Sequence, residues 1–120
     1  MIDTQVLIWW LSDLDKLKDK HIAILEDPKV NIEVSVCSLF EIAIKKSLGK
    51  LKFDFDIKKV LPVHGLILLN ITYEHLEHYL KLPLFHKDPF DRMIIAQAIA
   101  DNKPLISYDQ VFGKYNVLLI

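Results

Sequence analysis

The chain is poor in the residues on which several kinds of chemistry depend. Cys37 is its one cysteine in 120 residues, which excludes an intramolecular disulfide and a thiolate metal cluster. Three glycines, Gly49, Gly65 and Gly113, lie far apart, so no glycine-rich loop can cradle a phosphate. Arginine occurs once, at Arg92, and the remaining positive charge is lysine. No apolar run approaches the roughly 18 residues of a membrane span. Nor does a basic-then-apolar leader with a small-residue cleavage site open the chain. A soluble, cytoplasmic protein with no membrane partner is the expectation. The formal net charge of −1 excludes a polycation that coats nucleic acid indiscriminately.

Hydrophobic residues make up 52% of the chain and charged residues 26%, which fits one domain over residues 1–120 built on a single core. Cys37, between Val36 and Ser38 and close to Val34, reads as a small buried hydrophobe. Lys45, Lys46, Lys50, Lys52, Lys58 and Lys59 crowd into a short stretch, whereas the acids are scattered. Such a strip can meet a phosphate backbone, or it can be a solvated face.

Apolar periodicity alternates between the two regular structures. Residues 6–11, 13–26, 38–48, 57–64, 72–83 and 88–101 read as helices, and 110–115 as a helical turn. Residues 30–36, 66–71, 105–107 and 117–120 read as strands. Strands alternating with helices indicate an α/β sandwich on a parallel sheet flanked by helices, with functional loops at the carboxyl ends of the strands.

Four acids stand at those ends: Asp3, Glu41, Asp91 and Asp109. Each taken alone reads as a helix cap. Ser38 and Glu41 have the spacing of a capping box. Asp88 precedes Pro89 as an N-cap, with Asp91 in the first turn. Asp3 and Asp109 each precede a helical segment. A cap contributes only about 1 kcal/mol, and Ser or Thr would serve without charge. Gathered at one sheet edge, two carboxylates about 4 Å apart repel by about 4 kcal/mol at an effective dielectric near 20. Such a cluster stays partly protonated or takes a cation. Oxygen donors without His or Cys favour Mg²⁺ or Mn²⁺ over Zn²⁺. Ions of that kind orient and acidify a water and stabilise an in-line phosphoryl transition state, so the pattern points to a metal-dependent phosphodiester hydrolase.

Four segments carry a family resemblance: Asp3-Thr4; Ser35-Val36-Cys37-Ser38-Leu39-Phe40-Glu41-Ile42-Ala43-Ile44-Lys45-Lys46; His86-Lys87-Asp88-Pro89-Phe90-Asp91-Arg92-Met93-Ile94-Ile95-Ala96-Gln97-Ala98; and Leu105-Ile106-Ser107-Tyr108-Asp109. Together they resemble the PIN domain, and most closely the VapC-like toxins of bacterial toxin–antitoxin pairs, over essentially the whole chain. The resemblance implies a parallel sheet flanked by helices and a Mg²⁺- or Mn²⁺-dependent endoribonuclease. Asp3, Glu41, Asp91 and Asp109 would then be the metal-binding and catalytic acids, with Thr4 and Ser107 as supporting hydroxyls. It further implies a homodimer, an RNA substrate and a cognate antitoxin whose segment fills the acidic groove. Lys45, Lys46 and Arg92 are candidate RNA contacts. Members of the family carry several apolar residues before the first acid, whereas here only Met1 and Ile2 do. The N-terminal strand therefore reads as truncated, and a weakened sheet beneath Asp3 would leave a catalytically weak RNA- or protein-binding module as the alternative.

Other features have plainer readings. His75 and His78 are three apart on one helix, but no third ligand follows, so both read as exposed helix histidines. His86 lies close to the third acid and is a lesser candidate for substrate contact. Trp9, Trp10 and Phe40 read as core or interface residues, with base stacking as the rarer use. A phospho-acceptor domain would need paired acids after the first strand and a lysine after a late one, and neither is present.

Overall fold

Sheet pairing radiates from Ile2. The computed structural model describes residues 1–52 and 54–120, with the backbone alone at Ile57. Strands β1 (Glu33–Ser35) and β2 (Ile67–Leu69) run parallel, with Glu33 opposite Ile67, Val34 opposite Leu68 and Ser35 opposite Leu69. Ile2 bridges Val34 on one side and Ile106 on the other, and Leu105 bridges Leu119, all in parallel. The order across the sheet is therefore β2, β1, Ile2, residues 105–106, Leu119. The chain winds outward from Ile2 first to one side and then to the other. In such a sheet the crevice opens at the carboxyl end of the segment where direction reverses, and Asp3 occupies that position.

Three residues suffice for this central segment. Ile2 N–H donates to the Glu33 carbonyl (3.1 Å), Asp3 N–H to that of Ile106 (3.2 Å), and Ile106 N–H to that of Met1 (3.0 Å). Ile2 and Asp3 are thus tied to the sheet on both sides.

Helices cover both faces: α1 (Thr4–Ser12), α2 (Asp19–Glu26), α3 (Val36–Ser47), α4 (Ile57–Val63), α5 (Tyr73–Lys81) and α6 (Pro89–Ala100). Short 3-10 turns span Leu14–Lys16 and Gln110–Lys114. Side chains alternate across an extended backbone, and the core divides accordingly. Ile2 and Ile106 pack with Val6, Leu7, Val34 and Ile42, whereas Met1 and Leu105 pack with Ile94, Ile95 and Phe112. Cys37 is buried beside Met93 and Ala96, as its surroundings suggest.

Several boundaries differ from the periodicity. The helix expected over 13–26 is broken at Leu17, which adopts an extended conformation and turns into the core. Strand β1 is shorter than 30–36, because Val30 is exposed and Val36 already belongs to α3. Thr72 caps α5, and His75 closes a capping box with it. The Thr72 N–H donates to His75 Nδ1 (3.0 Å), and the His75 N–H donates to Thr72 Oγ1 (3.4 Å). His75 is buried, with Nε2 3.1 Å from Asp101 Oδ1, so it is neither an exposed histidine nor half of a metal pair.

Candidate metal centre

Each acid is brought to the crevice by a different element. Asp3 is the N-cap of α1, and its Oδ1 accepts the Val6 N–H at 2.7 Å. Asp109 caps the second 3-10 turn through Oδ1, which accepts the Val111 N–H at 2.8 Å. The cap reading and the ligand reading are thus compatible, since capping occupies one carboxylate oxygen and leaves the other.

Glu41 is a correction. The capping box expected at Ser38 is absent, because α3 starts three residues earlier. Ser35 is its N-cap and accepts the Cys37 N–H at 3.0 Å. Ser38 lies buried within the helix, where its hydroxyl accepts a hydrogen bond from Thr4 Oγ1 (3.0 Å) and ties α1 to α3. Glu41 therefore has no capping duty. One of its oxygens pairs with Lys45 Nζ at 2.8 Å, and the other, Oε2, is buried with no hydrogen-bond partner among the described residues.

Asp88 caps α6 as expected, with its Oδ1 accepting the N–H groups of Phe90 (2.8 Å) and Asp91 (3.1 Å). That leaves the Asp91 side chain free to face the crevice. His86 fills the space between two acids: its Nε2 is 3.1 Å from Asp91 Oδ2 and 2.9 Å from Asp109 Oδ2. Sequence reasoning placed His86 near the cluster but not inside it. The available signal was local, since the Asp88 N–H two residues on donates to His86 Nδ1 (3.0 Å) and turns the ring inward.

Asp3, Thr4, Gln5, Trp9, Glu41, Lys45, Asp91, Tyr108 and Asp109 line one cleft of about 340 Å³. All four sequence-predicted acids converge there. Burial, followed by the charges of Asp88, Glu41 and Asp3, pushes the Asp91 carboxyl up to about 7, although His86 opposes the shift. Burial likewise raises Asp3, against hydrogen bonds from Ser107 and the Val6 N–H. Asp109 is also pushed up by partial burial, but the Val111 N–H and His86 outweigh that and hold it below the usual carboxylate range. Ser107 serves both acids, because its Oγ also accepts the Asp109 N–H at 3.2 Å.

Two candidate RNA contacts lie elsewhere. Lys46 reaches Asp54 and the Phe55 carbonyl, outside the cleft lining. Arg92 is buried, and its guanidinium donates to the carbonyls of Pro83, His86 and Leu82 and lies over the Tyr79 ring. It organises the 82–88 loop instead of meeting a phosphate. Lys45 does line the cleft.

The donors fit a hard divalent cation. They are carboxylate oxygens around a Glu41 Oε2 that has no partner among the described residues, next to an Asp91 whose carboxyl is raised by burial and by the neighbouring acids. Among the described residues, His86, Asp91 and Asp109 bring ligand-type atoms within 4.8 Å of one another.

Comparison with known proteins bears on the fold and the family. No curated protein sequence matches the chain significantly. A chain in the crystal structure of VapBC2 from Rickettsia felis bound to a DNA fragment from their promoter superimposes with a TM-score of 0.73 at 18% identity, covering 100% of this chain and 96% of that one. A chain in the structure of VapBC-1 from nontypeable Haemophilus influenzae gives 0.65 at 17% identity, covering 100% and 95%. These show a shared fold, and the model of the PIN domain family matches residues 1–118. With acids from four elements at the switch point of a parallel sheet and a family match over nearly its full length, the chain belongs to the PIN domain family.

Proposed function

We propose that this protein is a Mg²⁺- or Mn²⁺-dependent endoribonuclease, the toxin of a toxin–antitoxin pair. The observation that carries the reading is the convergence of Asp3, Glu41, Asp91 and Asp109 around a buried Glu41 oxygen that no described residue satisfies. PIN nucleases in general use divalent metals, and these four carboxylates are the groups that would hold one. Such an ion, when bound, supplies charge for a phosphoryl transition state and lowers the pKa of a water. The chain's own residues do the rest. Ser107 and the Val6 N–H orient Asp3, and Lys45 fixes the rotamer of Glu41. Asp88 keeps the first turn of α6 in place under Asp91, while Lys45 puts positive charge inside a negative cleft, where a backbone phosphate must enter.

Two solved structures that share the fold are VapBC structures, which supports an antitoxin partner for this chain; the homodimer and the cytoplasmic setting rest on the family resemblance alone. Among the described residues no helix is long and apolar enough to cross a membrane. The test is cleavage of single-stranded RNA by the purified protein with Mn²⁺ or Mg²⁺, halted by EDTA and abolished by Asp91→Asn. Full-strength cleavage by that variant would refute the assignment.

A further inference from the structure

One wall of the cleft carries chemistry that metal binding does not use. Gln5 and Trp9 are one helical turn apart on α1, and both line the cleft beside the acids. Gln5 is exposed and, among the described residues, none claims its amide in a hydrogen bond, so a donor and an acceptor face the crevice together. Trp9 is half-buried and meets Tyr108 edge-to-face, with centroids 5.4 Å apart. Lys16 Nζ lies over the Trp9 ring, 6.0 Å from its centre, and also pairs with Asp13 at the surface (3.3 Å); Lys18 Nζ lies over the Tyr108 ring at 5.6 Å. Tyr108 is fixed in turn: its hydroxyl accepts the Lys18 N–H at 2.7 Å and sits 2.7 Å from His21 Nδ1.

We infer that this wall is a subsite for one unpaired nucleobase, with its ring stacked on Trp9, which Tyr108 buttresses edge-on, its edge read by Gln5, and the flanking phosphates met by Lys16 and Lys18. A base entering there displaces the exposed Lys16 ammonium toward its phosphate. Each part answers a separate chemical need. Aromatic rings stack on any base. A carboxamide offers adjacent donor and acceptor groups, which discriminate between base edges. Ammonium groups draw the backbone toward a cleft whose carboxylates would otherwise repel it. A base stacked in a duplex cannot present a free face, so the subsite selects single-stranded or bulged RNA.

The inference rests on the nuclease reading for the identity of its ligand. Its test uses Trp9 emission in the Trp10→Phe, Asp91→Asn protein with Mg²⁺, titrated with short single-stranded homopolymers, a blunt duplex and an abasic ribose-phosphate oligomer. The expected result is quenching by single strands, little by the duplex and none by the abasic chain. Adding Gln5→Ala should reorder the homopolymers by affinity, and Trp9→Ala should weaken binding, followed by anisotropy of a labelled strand, roughly five- to 150-fold. Gln5 is exposed, so its variant keeps the test open if Trp9→Ala fails to fold. Equal quenching by the abasic chain, or unchanged emission with every RNA, overturns the subsite. Failure of the nuclease reading shows separately, as strand scission that persists in the Asp91→Asn protein.

Discussion

His86 donates a hydrogen bond through Nε2 to Asp109, while the same nitrogen stands beside Asp91. Its Nδ1 accepts the Asp88 N–H at 3.0 Å, so the neutral ring carries its hydrogen on Nε2, which points between Asp91 Oδ2 (3.1 Å) and Asp109 Oδ2 (2.9 Å). The ring is held from several sides: the His86 N–H donates to Tyr115 Oη at 2.7 Å, Arg92 bonds its carbonyl, and Phe112 packs edge-on. A histidine that ligates through Nε2 needs a proton on Nδ1 and an acceptor opposite it. Here a donor is opposite, so His86 holds Asp109 and leaves oxygen atoms to bind the ion.

His86→Ala should therefore destabilise the metal-free protein at pH 8 by about 1–3 kcal/mol, since Asp109 loses its ring donor and the ring no longer separates it from Asp91. Saturating Mg²⁺ should recover most of that loss. Thermal unfolding of both proteins with EDTA and with Mg²⁺ measures it, and an equal loss under both conditions would mean that the ring serves packing alone.

Asp91→Asn should stabilise the metal-free protein in a pH-dependent way. The native carboxyl titrates near 7 against an ordinary value of 3.8, so between about pH 4 and pH 7 the folded state holds this proton more tightly than the unfolded chain. Stability from this group falls as pH rises through that window and is level above it. The gain from Asn should be on the order of 1–3 kcal/mol at pH 8 and vanish near pH 4. Urea melts at the two pH values decide the matter; a gain that is independent of pH contradicts the charge-crowding account.

Metal itself should act as a stabilising ligand. At a concentration 100 times its dissociation constant, a cation that binds only the folded state adds about 2.7 kcal/mol, or roughly 10 °C for a domain of this size. EDTA should reverse the shift, and the Asp91→Asn protein should show little of it. This experiment reads binding without requiring RNA cleavage.

The α/β alternation, the cap at Asp88 and the convergence of the four acids were legible because each depends on local pattern or on a topology rule. The two edges of β1 were not: Val30 and Val36 share its β-branched composition, but solvent on one side and the Ser35 cap on the other cut the strand to three residues. Ser38 misled because a serine three residues before a glutamate has the same spacing whether it caps a helix or, as here, bonds Thr4 from within one. The burial of His75 and the contacts of Arg92 were not legible, for a common reason. Their partners, Asp101 for one and the carbonyls of residues 82, 83 and 86 for the other, are set by tertiary packing that periodicity does not encode.

Arg92 gives the sharpest test of that last point. Were it an RNA contact, Arg92→Ala would weaken RNA binding and leave folding intact. The structure implies the reverse, because the substitution strands three carbonyls and removes a buried stem from the Tyr79 ring. A loss of about 2–4 kcal/mol in unfolding free energy is expected. Arg92→Lys should recover little of it, since one ammonium cannot reproduce the planar fork that reaches Pro83, His86 and Leu82 together. Any fall in metal affinity should follow from displacement of the loop that carries His86, so it should track the loss of stability across Ala, Met and Lys variants. Denaturant melts paired with Mn²⁺ calorimetry on the three proteins would reveal that correlation, and RNA affinity falling without loss of stability would return Arg92 to the substrate.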